Sequence, residues 1–114
     1  MRSFVLLSVL ALASSQALAS GAGAGDPEAG KARAAVCGAC HGPTGNMSVD
    51  NNTPKLAGQY EGYLVKALQD YRAGIRVNAI MNPQAAQLKD QDIADLAAYF
   101  AAQTGDLQDL SKIK

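Results

Sequence analysis

Two stretches of the chain repeat apolar residues every three or four positions, the spacing of an amphipathic helix. They predict one helix over 60–73 and another over 90–103. No segment shows sustained alternation of apolar and polar residues, the pattern of a β-strand. The chain is therefore predicted to be all-α. The apolar positions of the two helices are Tyr63, Leu64, Ala67, Leu68, Tyr71, Ile93, Leu96, Ala97 and Phe100.

A third helix is predicted from its start rather than from an apolar stripe. Asp26 is a suitable N-cap, Pro27 suits the first helical position and Glu28 adds an acid to the first turn. This helix should cover 27–39 along an alanine-rich sequence. It should end close to the two cysteines of the chain.

The segments between these helices are rich in residues that favour turns. Residues 42–53 contain Gly, Pro, Asn and Ser and are predicted to be loop. Gly74 is placed to end the second helix. Residues 75–88 should combine loop with short helix, interrupted at Pro83.

The N-terminus has the pattern of an export signal. A basic residue at position 2 precedes an apolar run over 4–13, and Ala-Leu-Ala at 17–19 resembles a signal peptidase site. The run is shorter than the ~18–20 residues that a membrane-spanning helix needs. We expect cleavage after about Ala19. The chain then divides into a signal peptide (1–19), a flexible N-terminal tail (20–25) and one domain (26–114).

Size and charge limit the functions that the chain can perform. Ten basic residues balance ten acidic ones, so no basic surface for nucleic acid is expected. Removal of Arg2 with the signal leaves a formal charge of −1, nine basic against ten acidic residues. The mature chain, about 95 residues, is small enough for an apolar core alone to give little stability. We therefore expect the chain to depend on a bound cofactor and to be largely unfolded without it.

Cys37-Gly38-Ala39-Cys40-His41 carries the chemistry. Two cysteines three positions apart, followed directly by histidine, predict covalent attachment of haem, with His41 as the proximal iron ligand. A thioredoxin-like dithiol would need a βαβ context, which the sequence does not supply. A zinc site would need further ligands, and the chain has only two Cys and one His.

With these residues in place, the chain resembles the class I c-type cytochromes. It is similar to the small periplasmic single-haem proteins and to one domain of the two-haem c-four type. The resemblance implies the cytochrome c fold, with three main helices and short helices around one haem c. It rests on the blocks Cys37-Gly38-Ala39-Cys40-His41-Gly42, Pro54-Lys55-Leu56-Ala57-Gly58-Gln59, Tyr71-Arg72-Ala73-Gly74 and Asp92-Ile93-Ala94-Asp95-Leu96-Ala97-Ala98-Tyr99-Phe100.

The resemblance also implies the groups around the iron. The carbonyl of Pro54 would accept the second N–H of His41, and Met81 would be the distal ligand. Met47 is the other methionine after the signal, but its loop leaves the histidine on the proximal side. Methionines are more often core residues than ligands. Met81, however, lies in a polar segment interrupted by proline, where the family places its ligand.

A chain of this kind is expected to be an electron carrier and not an enzyme. The resemblance implies a soluble, monomeric periplasmic protein that exchanges one electron with other redox proteins, without nucleic acid or a membrane span. An alternative is a tightly bound cytochrome subunit of a periplasmic dehydrogenase or sulfur-oxidising complex. A gas-binding or peroxidatic haem protein would need an open sixth site on the iron, which Met81 would occupy.

Some residues receive weaker assignments. Gly30 should mark a close crossing with the last helix at Leu96 and Tyr99, as in the family. Tyr71 is either a core residue or a hydrogen-bond donor to Met81 or a haem propionate. Arg72 and Arg76 are either solvated or paired with a propionate, and with Lys55 they could form a local basic patch.

Overall fold

The computed structural model describes residues 23–107 and contains four helices in this range. They are α1 (Pro27–His41), α2 (Glu61–Ala73), α3 (Met81–Ala86) and α4 (Asp90–Ala101). Since the described residues form no strand, the all-α prediction is confirmed. None of these helices is long and apolar enough to cross a bilayer. The expected signal peptide lies outside the described residues.

α1 begins as its sequence predicts. The Asp26 side chain accepts a hydrogen bond from the Glu28 amide at 2.9 Å, and Pro27 is the first helical residue. The helix runs two residues further than predicted and ends at Gly42, whose φ is +85°. The whole attachment motif is therefore on α1.

The chain before α1 lies along α4. The Gly23 amide donates to the Gln91 side chain at 2.9 Å, and the Asp26 amide donates to the Asp95 carboxylate at 2.9 Å. The expected flexible tail of 20–25 is therefore, in its described part, hydrogen-bonded to the fold.

α1 and α4 cross at Gly30, where their backbones nearly touch. A Cβ atom on Gly30 would lie 2.6 Å from the carbonyl carbon of Asp95 and 2.8 Å from Cβ of Tyr99. The predicted crossing is correct for Tyr99, but its second contact is Asp95 rather than Leu96. Residues 95 and 99 are one turn apart on the face that meets α1, whereas Leu96 points into the core and is 2% exposed.

The core is small and lies mainly along α4, of which residues 92–100 are all buried. α4 packs on α1 and α2, and α2 also packs on α3. Among the described helices, α1 contacts neither α2 nor α3. The central cluster consists of Ala34, Leu64, Leu96, Ala97, Tyr99 and Phe100.

The region between α2 and α4 departs from the prediction. α2 ends at Gly74 in the left-handed conformation, as expected. Pro83 does not interrupt a helix there but is the third residue of α3, of which Met81 is the first. A proline is tolerated in a first turn, because the N–H that it lacks would have no acceptor within the helix. α4 ends at Ala101, two residues before the predicted end.

Candidate functional site

His41, the last residue of α1, is held in a defined orientation and tautomer. Its side chain is buried, and Nδ1 lies 2.7 Å from the carbonyl oxygen of Pro54. A carbonyl can only accept, so Nδ1 carries the proton and Nε2 keeps its lone pair in the neutral ring. No hydrogen bond reaches Nε2 from any residue within 23–107. This is the arrangement of an imidazole that binds a metal through Nε2.

Backbone hydrogen bonds from the three residues 56–58 fix the segment that follows Pro54. The amides of Leu56 and Ala57 donate to the Gly45 carbonyl at 2.8 and 3.2 Å. The next amide along the chain, that of Gly58, donates to the Phe100 carbonyl on α4 at 2.9 Å. The segment that carries the acceptor for His41 is therefore fixed to the loop after α1 and to α4.

Gly45 connects these parts, and the sequence analysis did not identify it as more than a loop residue. Its φ is +80°, and a Cβ there would lie 2.9 Å from the Ala57 amide nitrogen, from Leu56 Cβ and from Phe100 Cδ1. Only glycine fits a position that is both left-handed and this crowded. The pair Gly42 and Gly45 around Pro-Thr was the signal in the sequence that could have indicated a tight turn.

The two cysteines lie one helical turn apart on α1, and neither forms a disulfide. Cys37 packs against the central cluster, and Cys40 is also partly buried. Burial raises the pKa of the Cys37 thiol, outweighing a backbone hydrogen bond that lowers it. A raised pKa is the opposite of what a reactive dithiol requires. Between residues 23 and 107 no three His, Cys, Asp or Glu side chains converge as metal ligands, so the zinc alternative lacks support.

The two expected axial ligands, His41 and Met81, lie on helices that do not pack on each other. Met81 is half-buried at the start of α3, where its amide donates to the Asn78 side chain at 2.9 Å. α3 packs on α2, and α1, which ends at His41, does not contact either helix. Met47 is 75% exposed, with its backbone packed against Gly42 beside the histidine. Met81 as distal ligand stays a prediction.

The described residues fit a large apolar group. Ile93 and Leu96 are the largest side chains that are fully buried between residues 23 and 107. Many large apolar side chains in this range are instead exposed, so the protein alone does not cover them. A lone pair on His41, two thiols on the same helix and uncovered apolar surface together suit a covalently attached porphyrin. The exposed side chains are Val36, Met47, Val49, Tyr60, Tyr63, Ile75, Val77 and Ile80.

Arg72 has structural partners. Its guanidinium donates to the Leu88 carbonyl at 3.1 Å and to the Asp90 carboxylate at 2.6 Å, joining α2 to the start of α4. Lys55 pairs with Asp106, and this pairing lowers the pKa of that carboxyl group. Two of the three cations suggested as a basic patch are therefore neutralised locally.

Arg76 and Tyr71 contact each other. The Arg76 guanidinium lies 4.8 Å from the centre of the Tyr71 ring and donates to the Tyr63 hydroxyl at 3.3 Å. The Tyr71 carbonyl accepts a hydrogen bond at 2.7 Å from the side-chain amide of Asn82, the residue after Met81, and a bond from the Tyr71 hydroxyl to Met81 stays a prediction.

Comparison with known proteins gives a consistent picture. The family model described as Cytochrome c matches residues 27–103. A protein named cytochrome c4 from Pseudomonas aeruginosa is 55% identical over 80 residues, which are 70% of this chain and 39% of that protein. Cytochrome c-554(548) from Halomonas halodenitrificans is 42% identical over 83 residues, covering 70% of this chain and 99% of the relative.

A solved structure agrees with these similarities. The reduced recombinant cytochrome c4 from Pseudomonas stutzeri superposes with a TM-score of 0.68 at 49% identity, over 74% of this chain and 48% of that one. This chain spans about two fifths of the length of the cytochrome c4 relatives that it matches.

Proposed function

The chain belongs to the cytochrome c family, and from this premise we propose that it carries one electron between redox proteins. Membership in the family implies a covalently bound haem c. When bound, the haem supplies an iron that changes between the ferrous and ferric states. The hydrogen bond between His41 Nδ1 and the Pro54 carbonyl is the observation that carries the proposal.

Each residue of the site then has a defined task. Cys37 and Cys40 would hold the porphyrin through thioethers, and His41 would bind the iron through Nε2. The Pro54 carbonyl keeps the proton on Nδ1 and makes the imidazole a better donor. Met81 would supply a thioether as the second axial ligand, which raises the reduction potential relative to a more strongly donating ligand.

Two axial protein ligands suit electron transfer better than catalysis. With His41 and Met81 both bound, the iron has no position for a substrate or a gas. The residues described here therefore support a carrier, and we propose no enzymatic activity.

We also propose an exported, periplasmic protein that meets its partners transiently. The chain without its signal carries a formal charge of only −1, and Lys55 and Arg72 are paired with carboxylates, so strong electrostatic steering is not expected. Encounter would instead depend on a small surface near the haem edge.

The test is the absorption spectrum of the reduced holoprotein before and after addition of carbon monoxide. We expect no change in the wild type, because a sixth ligand blocks the iron. Met81→Ala should bind carbon monoxide, whereas the matched control Met47→Ala should behave like the wild type. Rapid binding by the wild type would overturn both the Met81 assignment and the carrier proposal.

The second candidate is a subunit held in a stable enzyme complex. It is favoured by the exposed apolar side chains of Ile75, Val77 and Ile80, which need a cover. Under the carrier proposal the haem covers them, and the holoprotein should be purified alone. Co-purification of a stoichiometric enzyme subunit would favour the second candidate.

A further inference from the structure

The tight turn that follows His41 is attached by one side chain to α4 and by another to the segment after α4. The turn covers 42–45 and is closed by a hydrogen bond from the Gly45 amide to the Gly42 carbonyl at 3.0 Å. The Tyr99 hydroxyl donates to the carbonyl of Pro43, inside the turn, at 3.0 Å. Asn46, the next residue, donates from its side-chain amide to the Thr104 carbonyl at 2.6 Å.

The same turn also holds the acceptor of the histidine proton. The Gly45 carbonyl accepts from the amides of Leu56 and Ala57, two and three residues after Pro54. The turn begins one residue after His41. His41 is fixed as the last residue of α1, whereas the segment of the acceptor carbonyl is attached to the turn through Gly45. A shift of the turn relative to α1 would therefore change the separation of donor and acceptor.

We propose that the Tyr99 hydroxyl and the Asn46 amide are positioning groups for the hydrogen bond between His41 and Pro54. Neither touches the imidazole, and both act through the 42–45 turn. The Tyr99 side chain is buried, at 8% exposure, and its hydroxyl reaches the exposed residue Pro43 in the turn. The inference rests on the proposed function, because its effect is measured at a haem iron bound to His41.

The direction of the effect separates positioning from a purely structural role. A weaker bond from Nδ1 makes the imidazole a poorer donor, so the ferric state is less stabilised and the reduction potential rises. A substitution that only loosened the fold and admitted water to the haem would favour the more highly charged ferric state. The reduction potential would then fall.

The experiment uses holoprotein of the wild type, Tyr99→Phe and Asn46→Ala. Covalent haem content is verified first by mass and absorption. Two properties are then compared: the reduction potential, and the exchange rate of the His41 Nδ1 proton, measured by NMR in the reduced state. We expect both variants to show a raised potential. Proton exchange should be about fivefold faster, which corresponds to one neutral hydrogen bond.

A matched control removes a side-chain amide elsewhere. Asn51→Ala deletes an exposed amide outside the 42–45 turn, and it should leave the potential and the exchange rate unchanged. If Tyr99→Phe does not accumulate, Asn46→Ala decides the question alone, because it removes the other hydrogen bond that attaches the same turn.

The outcomes are distinguishable. Haem-loaded variants whose reduction potential is unchanged or lowered would overturn the inference, whatever their exchange rates and melting temperatures. A wild type without covalent haem would overturn the proposed function, and the inference with it.

Discussion

The region around His41 and the segment between α2 and α4 are stabilised in different ways. The histidine is buried, and the loops around it are tied to α4 through Phe100 and Tyr99. In the other segment, Ile75 and Val77 are 74% and 83% exposed. The protein thus holds His41 by its own contacts, whereas the described residues leave the apolar side chains that precede Met81 uncovered.

Loss of the two attachment sites should have the largest effect on the difference between the two regions. The double variant Cys37→Ala, Cys40→Ala should contain no covalent haem and be largely unfolded at room temperature, because the remaining core is too small. Residual protection from hydrogen exchange should be confined to α1 and α4 and be absent from 75–86. Circular dichroism and hydrogen exchange measure both effects.

A contrary result would be native-like protection over 75–86 in this variant. That segment would then be stable without a cofactor, and the contrast between the two regions would disappear. Met47→Ala, which retains both cysteines, is the control for expression and export.

A smaller loss of stability is expected from a substitution at the close crossing of α1 and α4. Gly30→Ala should destabilise the holoprotein by about 2 kcal/mol, because the new Cβ would overlap the Asp95 backbone and the Tyr99 side chain. The haem spectrum should be unchanged, since the crossing does not touch His41. Urea denaturation measures the free energy of unfolding.

Gly62→Ala makes the same chemical change in α2, where no atom lies within 4 Å of the added Cβ. It should be neutral or stabilising by up to ~1 kcal/mol. Equal losses in the two variants would show that the crossing of α1 and α4 is not specially sensitive.

The smallest effect concerns pH. The Asp26 amide, the Gln91 side chain and the charge of Arg33 hold the pKa of Asp95 below its ordinary value. The stabilisation by Asp95 is complete above its unfolded pKa of ~3.9 and is lost as the pH falls through the lower folded value. Asp95→Asn should therefore give a shallower loss of holoprotein stability below about pH 4.

Salt distinguishes this contribution from a surface pair. Hydrogen bonds dominate at Asp95, so its effect on the acid slope should persist in about 1 M salt, where exposed charges are screened. The effect of Asp106→Asn, which removes the exposed pair with Lys55, should fade. An unchanged acid slope in Asp95→Asn would contradict the prediction.

Most of the helical structure could be predicted because its signals are local. The cap at Asp26, the stop at Gly74 and the apolar spacing of α4 each depend on residues within a few positions. The role of Pro83 was mispredicted, because a proline breaks a helix interior but not a first turn, and the sequence does not show which applies.

The contacts that shape the site join residues that are far apart in the sequence. The resemblance indicated Pro54 as the partner of His41, and the glycine pair at 42 and 45 could have indicated the turn. No pattern in the sequence indicated Asn46 or the Tyr99 hydroxyl. The bond from Tyr99 to Pro43 joins residues 56 positions apart. Such a pair is brought together by helix packing and not by spacing along the chain.

The sequence by itself therefore determined the chemistry of attachment and the positions of the helices. Cys37, Cys40 and His41 are neighbours in the chain, and one helical turn is enough to place them together. Only the tertiary structure decided which backbone meets Gly30 and how the His41 proton is held. Those arrangements depend on how α4 crosses α1 and on the hydrogen bonds between α4 and the loops. Both result from the packing of the whole domain.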